Sequence, residues 1–141
     1  MPPQNRSMNW AIAQLPGLSS QDQEQLAGCG IETTQQLLRT TKTPIERQDL
    51  AGKLQIHIQH VNKWFALANL ARIPSVGCQY CGLLLHAGIS NPLQLAQVPP
   101  ATLHRQILRL QVSTAQRPDL CPGFDEVVQW IEQARDLTSR R

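Results

Sequence analysis

The sequence predicts an all-α protein of two similar halves packed together, residues 1–72 and 73–141. Apolar residues recur at helical spacing, helix-start and helix-stop signals divide the chain, and one segment of sequence occurs twice. We find no convincing alternation of polar and apolar residues with a period of two, the pattern expected of strands. The chain has 41% hydrophobic and 16% charged residues, which favours a folded core over disorder.

An internal repeat sets the predicted architecture. The segment LPGLSSQDQEQLAGCGI, from Leu15 to Ile31, aligns with IPSVGCQYCGLLLHAGI, from Ile73 to Ile89, at a constant offset of 58 residues. The offset continues without a gap through the pairs Leu37–Leu95, Ile45–Leu103, Arg47–Arg105 and Leu50–Leu108. An offset of 66 then joins Val61, Trp64 and Ala68 to Val127, Trp130 and Ala134. The change from 58 to 66 implies eight additional residues in the second half, which we expect in the loop-rich stretch QVSTAQRPDLCPGF.

The first half is predicted to open with a helix end, a tight hairpin and a second helix. That second helix stops at Gly30, since glycine adopts the left-handed conformation of a helix end without a Cβ clash. Thr33 and Gln36 form a capping box that starts the next helix. Thr43, followed by Pro44 at the first helical position, starts another.

The last helix of the first half has an apolar stripe. Ile58, Val61, Phe65 and Ala68 follow the spacing of one buried helical face, and Trp64 widens it. The second half repeats the same order of signals. They are a helix stop at Gly88, a cap at Asn91 followed by Pro92, and a closing helix around Trp130.

Basic residues are concentrated in the middle of the chain. The net charge is +3, and no Asp or Glu occurs between Asp49 and Asp119. This interval contains all four histidines and the six cations Lys53, Lys63, Arg72, Arg105, Arg109 and Arg117. Such a basic centre between acidic ends is typical of a surface for an anionic partner. A solvated surface that happens to lack acids is the alternative.

Both hairpins resemble the helix-hairpin-helix motif, which reads roughly L-x-G-[IV]-G with a later G-I. The first copy is Leu15-Pro-Gly17-Leu18-Ser19 and the second is Ile73-Pro-Ser75-Val76-Gly77. The order of hairpin unit, Pro-started helix and Val-x-x-Trp helix, present twice from about Asn9 to Leu137, resembles a bacterial family of duplicated helix-hairpin-helix proteins of unknown function. The resemblance implies two SAM-like helical bundles. It also implies that hairpin N–H groups contact a DNA phosphate independently of base sequence.

The two copies depart from the motif in different ways. Ser19 replaces the second glycine of the first copy, and Ser75 replaces the first glycine of the second. Asp22 and Glu24 follow the first hairpin, where they would stabilise the helix dipole and repel a phosphate. No acid follows the second hairpin, which is therefore the predicted phosphate site. The alternative is that both hairpins merely join packed helices.

The predicted nucleic-acid site combines the second hairpin with the basic centre. Arg105 and Arg109 lie four residues apart, on one face of a helix whose opposite side is apolar. Lys63 and Arg72 lie on the helix that leads into the hairpin. The predicted residues are Gly77, Cys78, Gln79, Lys63, Arg72, Arg105 and Arg109.

Cysteine spacing offers a weaker candidate site. Cys78-x-x-Cys81 supplies half of the four ligands of a structural zinc site, and Cys29 and Cys121 are single. Small-side-chain packing in the core is the simpler interpretation for Cys81 and Cys29, so no metal and no cofactor is expected. Tyr80, next to the second hairpin, is a candidate for stacking on a base or on a partner.

The function predicted from sequence is that of a non-enzymatic binding protein. No catalytic triad and no nucleotide-binding loop is recognisable, so no small-molecule substrate is expected. No apolar run approaches the ~20 residues of a membrane span, and the N-terminus lacks the pattern of a signal peptide, so we expect a cytoplasmic protein without membrane contact. Weak, sequence-independent nucleic-acid binding is the first hypothesis. A protein-interaction adaptor without nucleic-acid binding is the alternative.

Overall fold

The computed structural model describes residues 8–114 and 122–139, and over these residues the protein is all-helical, as predicted. A short 3-10 helix, Ile12–Gln14, precedes eight α-helices in the described ranges. The helices are α1 (Ser20–Gly28), α2 (Thr34–Thr40), α3 (Pro44–Leu54), α4 (Ile58–Ala71), α5 (Gly77–His86), α6 (Pro92–Gln97), α7 (Pro100–Thr114) and α8 (Phe124–Ser139).

The predicted helix starts are confirmed. The Thr33 hydroxyl accepts a hydrogen bond from the Gln36 N–H, and the Gln36 side chain accepts one from the Thr33 N–H. Thr43 and Glu46 form the same pair of bonds at α3. Asn91 caps α6, with Pro92 at its first turn. Ser19 and Asp22 form a further capping box at α1, with N···O distances of 3.0 and 3.1 Å. Each of these bonds satisfies a backbone donor that the first helical turn leaves unpaired.

Two helices end in the same left-handed turn. Gly30 has φ +81° and Gly88 has φ +96°. The N–H of Ile31 bonds to the carbonyl of Leu26 at 2.9 Å, and Ile89 bonds to Leu84 at the same distance. These bonds close a Schellman turn, and the apolar residue after each glycine is buried. The predicted helix stops at Gly30 and Gly88 are confirmed.

The prediction of an α-helix before the first hairpin is wrong, because only the 3-10 helix forms there. The backbone at Trp10 and Ala11 is extended and pairs instead with the start of α2. The Trp10 carbonyl accepts the Thr34 N–H at 2.8 Å, and the Ile12 N–H donates to the Glu32 carbonyl at 2.9 Å. This pairing uses the backbone groups that a longer helix would need.

The ungapped repeat also fails at one helix. Leu103 is fully buried, whereas Ile45, its partner at the offset of 58, is 69% exposed. Pro44 and Pro100, which begin α3 and α7, differ by 56 positions, so the connection before α7 is shorter than the one before α3. The loop expected in QVSTAQRPDLCPGF is helical at its start, because α7 continues to Thr114.

One cluster of buried residues forms the core. Trp64 of α4 and Trp130 of α8 are its largest members, and each is at most 2% exposed. Ile58 and Phe65, predicted on the buried face of α4, are only half-buried. Because α4 packs against α5, the core crosses the predicted boundary between residues 72 and 73, whose status as a domain boundary stays a prediction.

Candidate nucleic-acid interface

The second hairpin is a compact turn between α4 and α5. The Ile73 carbonyl accepts hydrogen bonds from the Val76 N–H at 3.0 Å and from the Gly77 N–H at 2.9 Å. Gly77 has φ +53° and is buried. The N–H of Gly77 therefore points into the turn, and a phosphate contact through this group would require the bond to Ile73 to break.

Ser75, which the sequence predicts at a glycine position of a helix-hairpin-helix motif, fixes the hairpin to α8. Its N–H donates to Gln133 Oε1 at 2.9 Å, and Gln133 Nε2 donates to Ser75 Oγ at 2.8 Å. Trp130 Nε1 donates to the Ser75 carbonyl at 3.2 Å. All three polar groups of Ser75 are thus engaged by one helix, and they face inward rather than toward a ligand.

Trp10 covers Gly77. The indole Nε1 donates to the Ala71 carbonyl at 2.7 Å, which places the ring against the hairpin. A Cβ on Gly77 would lie 3.1 Å from Trp10 Cζ2, closer than such contacts normally are. The glycine at this position therefore serves close packing as well as turn geometry.

Two predicted residues keep accessible donors. Among the described residues, the backbone N–H groups of Cys78 and Gln79 have no hydrogen-bond partner, because they belong to the first turn of α5. Gln79 is exposed, and both residues line a pocket of about 380 Å³ together with Trp10 and Gln14. Cys78 and Gln79 are thus the two hairpin residues still placed to contact an anion.

The predicted cations do not converge on this pocket. Lys63 lies beside the first hairpin, where its Nζ is 3.6 Å from the position of a Cβ on Gly17. Arg72 is half-buried, and its Nη1 donates to Asn69 Oδ1 at 2.8 Å. Neither residue lines the pocket of Cys78 and Gln79. Both residues are close to the second hairpin in the sequence. In the structure, the Lys63 side chain lies at the first hairpin and the Arg72 side chain lines a different pocket.

Arg105 and Arg109 are placed as predicted. Both are exposed on α7, while Leu103 and Ile107 on the other side of the helix are fully buried. The helix α7 packs against α8 and also touches α5. Arg117, the remaining cation of this region, lies outside the described residues.

A second group of cations was missed by the sequence analysis. Side chains of α2, of the loop after it and of α4 line a pocket of about 440 Å³, which we call the basic pocket. Its polar and aromatic lining residues are Gln35, Arg39, Lys42, Phe65, Asn69 and Arg72. Arg39 and Lys42 precede Asp49, so they fell outside the acid-free interval that drew attention to the other cations.

The described cysteines do not form a metal centre. Among the described residues, no group of three or more His, Cys, Asp or Glu side chains is placed to hold a metal ion. Cys81 is fully buried, as the packing interpretation predicts, whereas Cys29 is exposed and that interpretation is wrong for it. Burial raises the pKa of the Cys81 thiol to about 12 and also raises the pKa of Cys78. Cys121 lies outside the described residues.

Tyr80 is committed to an internal contact. Its ring centroid lies 5.0 Å from that of Trp130. Burial, together with the charge and hydrogen bond of Glu126, raises the pKa of its hydroxyl. Tyr80 is half-buried, so the stacking of Tyr80 on a base or a partner stays a prediction. Within the described ranges, no helix is long and apolar enough to cross a membrane.

Comparison with known proteins identifies a family. The family model described as "Domain of unknown function (DUF4332)" matches residues 16–137. No curated protein matches the chain, and no solved structure matches it. The match spans both hairpins and every helix from α1 to the greater part of α8. The chain therefore belongs to the DUF4332 family, a domain of unknown function.

Proposed function

We propose that the protein is a non-enzymatic binding protein that contacts nucleic-acid phosphates weakly and without reading base sequence. The observation that carries the proposal is the exposure of Arg105 and Arg109 on one face of α7. They lie inside a stretch of 69 residues, 50–118, without Asp or Glu. Exposed cations attract a polyanion and release its counterions on binding.

The accessible N–H groups of Cys78 and Gln79 supply the hairpin part of the proposed interface. They lie at the start of α5, where the helix dipole favours an anion. In this proposal the chain is a duplicated helix-hairpin-helix protein. The matched left-handed turns at Gly30 and Gly88 and the paired burial of Trp64 and Trp130 support that reading. A cytoplasmic location stays a prediction.

The test is a fluorescence-anisotropy titration of a labelled 20-base-pair duplex at several salt concentrations. We expect the R105A/R109A variant to bind every sequence more weakly and to reduce the slope of log K against log salt by up to about 2. Gln106→Ala, an exposed uncharged neighbour on α7, is the matched control and should bind like the wild type. Unchanged binding by a folded R105A/R109A variant, or no binding by the wild type at low salt, would exclude the proposal.

A protein-interaction adaptor is the second candidate function. Two observations favour it. The N–H groups of Ser75 and Gly77 are used inside the fold, and two large apolar side chains are exposed near each other along α7 and α8. Leu108 is 37% exposed and Phe124 is 46% exposed, and Phe124 packs edge-on against His104, one helical turn before Leu108. The adaptor becomes the better description if the anisotropy titration shows no binding.

A further inference from the structure

The basic pocket is built from two helices and the loop between α2 and α3. Arg39 comes from the last turn of α2, Lys42 from the loop, and Asn69 and Arg72 from the end of α4. Arg39 and Lys42 are exposed, whereas Asn69 and Arg72 are half-buried. Within the part of the chain that the structure describes, no carboxylate lines the pocket. Three cations from three elements, α2, the loop after it and the end of α4, therefore line one concave surface.

The positions of these groups are fixed by contacts behind them. The Thr41 side chain is buried, and its Oγ1 donates to the Leu37 carbonyl at 2.7 Å. Arg47 Nη1 donates to the Thr41 carbonyl at 2.8 Å, and the Arg47 guanidinium lies 4.7 Å from the centre of the Phe65 ring. The loop that carries Lys42 and the aromatic side of the pocket are thus held by the same arginine.

Arg72 is oriented by its neighbour one helical turn earlier. Its Nη1 donates to Asn69 Oδ1 at 2.8 Å. Burial lowers the pKa of the guanidinium below its ordinary value, although an arginine stays protonated at neutral pH. A guanidinium held in one orientation presents its N–H groups in a fixed plane, the arrangement that matches phosphate oxygens.

Helix stabilisation alone does not account for the cluster. A cation in the last turn of α2, such as Arg39, interacts favourably with the helix dipole. The same effect applies to Arg72, which caps the C-terminus of α4, but it does not require the cations of two helices and a loop to line one cavity. The pocket volume of about 440 Å³ falls within the usual range for ligand sites, roughly 300–1,000 Å³.

The second half of the chain offers an internal comparison. The sequence offset of 66 pairs Asn69 with Arg135 of α8. Arg135 Nε donates to the Ala96 carbonyl at 3.0 Å, so its long side chain reaches across to α6. The offset of 58 pairs Arg39 with Gln97, and the offset of 56 that relates Pro44 to Pro100 pairs Lys42 with Val98. Neither Gln97 nor Val98 is charged. The shorter Asn69 leaves space on α4, and Arg39, Lys42 and Arg72 line the pocket at that place.

We infer that the basic pocket binds a phosphoryl group, with Arg39, Lys42 and Arg72 contacting its oxygens and Asn69 orienting Arg72. The group is either a phosphodiester of a nucleic-acid backbone or a free phosphate ester, since both present the same oxygens. The inference does not depend on the function proposed above, because the pocket is separate from Arg105, Arg109 and the second hairpin.

The test uses inorganic pyrophosphate as the probe, titrated into the isotope-labelled full chain at low salt and followed by NMR. We expect saturable shifts at Arg39, Lys42 and the Asn69 amide. The R39Q/K42Q variant should bind about tenfold more weakly or worse, since each lost charged hydrogen bond carries a large share of the affinity. R105Q/R109Q removes the same number of charges from another surface and should bind pyrophosphate like the wild type.

A variant that fills the basic pocket distinguishes binding inside it from attraction by charge alone. Asn69→Arg adds a positive charge but places a long side chain in the cavity, as Arg135 does on α8. We expect it to lose pyrophosphate binding, whereas attraction by diffuse charge alone would tighten binding. Circular dichroism confirms that each variant is folded.

Three results would overturn the inference. They are no saturable shift in the wild type, equal losses in R39Q/K42Q and R105Q/R109Q, and unchanged or tighter binding by folded Asn69→Arg.

Addition of a DNA duplex to the pyrophosphate complex identifies the source of the phosphoryl group. Displacement of pyrophosphate from the Arg39 and Lys42 resonances assigns a nucleic-acid phosphodiester. Retention of pyrophosphate assigns a free phosphate ester.

Discussion

Ser75 and Gln133 hold each other through two hydrogen bonds, one in each direction. The backbone N–H of Ser75 donates to Gln133 Oε1, and Gln133 Nε2 donates to Ser75 Oγ. Gln133 is only 7% exposed, so this pair is an internal tie between the second hairpin and α8. The second hairpin thus uses the backbone and side chain of Ser75 to attach α8.

Gln133→Ala is therefore expected to destabilise the fold. Removal of the amide leaves the N–H and hydroxyl of Ser75 without partners, which costs about 1–3 kcal/mol in the free energy of unfolding. Urea denaturation followed by circular dichroism measures the loss. Gln129→Ala, at an exposed position of the same helix, should stay within about 0.5 kcal/mol of the wild type. Equal stability of the two variants would mean that the Ser75–Gln133 pair contributes nothing.

The two predicted halves should unfold in one transition. Trp64 and Trp130 belong to the same core cluster, and α4 packs on α5 across residues 72 and 73. Changing either tryptophan to Ala should cost about 3–5 kcal/mol, because each leaves a large cavity. Scanning calorimetry of the wild type should show a single peak. Two resolved peaks, with Trp64→Ala lowering only one of them, would show that the halves are separate folding units.

The Cys81 thiol makes stability depend on pH in the alkaline range. Its pKa in the folded protein is about 12, above the ordinary value of 9.0. Above about pH 9 the unfolded chain therefore loses this proton more readily than the folded chain, and the free energy of unfolding falls as pH rises toward about 12. Below pH 9 the thiol is protonated in both states and contributes no slope.

The measurement compares urea denaturation of the wild type and Cys81→Ala from pH 7 to pH 11. The wild type should lose stability more steeply above pH 9, because Ala has no proton to release. In the native state at pH 8, the exposed Cys29 should react with a thiol reagent far faster than the buried Cys81. Parallel pH profiles for the two proteins would contradict the raised pKa.

Sequence reasoning succeeded where the interactions are local. The caps at Thr33, Thr43 and Asn91 join residues three positions apart, so the partners are visible in the sequence itself. The helix stops at Gly30 and Gly88 are equally local, since they depend on one glycine and the turn before it. These signals were enough to predict an all-α chain, the starts of α2, α3 and α6 and the ends of α1 and α5.

The candidate site was less predictable because it depends on distant contacts. Nothing in the sequence around Ser75 indicates that its N–H donates a hydrogen bond to Gln133, 58 positions away. The place of Lys63 beside Gly17 depends on how α4 packs against the first hairpin. The basic pocket joins α2 to α4, and a scan for acid-free stretches cannot detect cations that only the fold brings together.

Glycine has two structural roles in this chain, a left-handed turn and close packing. Gly30 and Gly77 both have positive φ, +81° and +53°, so Ala at either position carries the left-handed penalty of about 1–2 kcal/mol. Their surroundings differ. A Cβ on Gly30 meets nothing within 4 Å, whereas a Cβ on Gly77 lies 3.1 Å from Trp10 Cζ2. Gly77→Ala must therefore also displace the indole that donates to the Ala71 carbonyl.

We expect Gly77→Ala to lose more stability than Gly30→Ala in urea denaturation, and to shift the Trp10 indole N–H resonance that Gly30→Ala leaves in place. If Gly77→Ala also weakens nucleic-acid binding, the cause is either the packing around Trp10 or the hairpin and its N–H groups. The variant Trp10→Phe separates these two explanations. It removes the indole bond without changing the hairpin backbone. Equal weakening by both variants would assign the effect to packing around Trp10. Weakening by Gly77→Ala alone would assign it to the hairpin and the N–H groups of Cys78 and Gln79. Equal stability losses in Gly77→Ala and Gly30→Ala, with an unmoved Trp10 resonance, would contradict the close contact between Gly77 and Trp10.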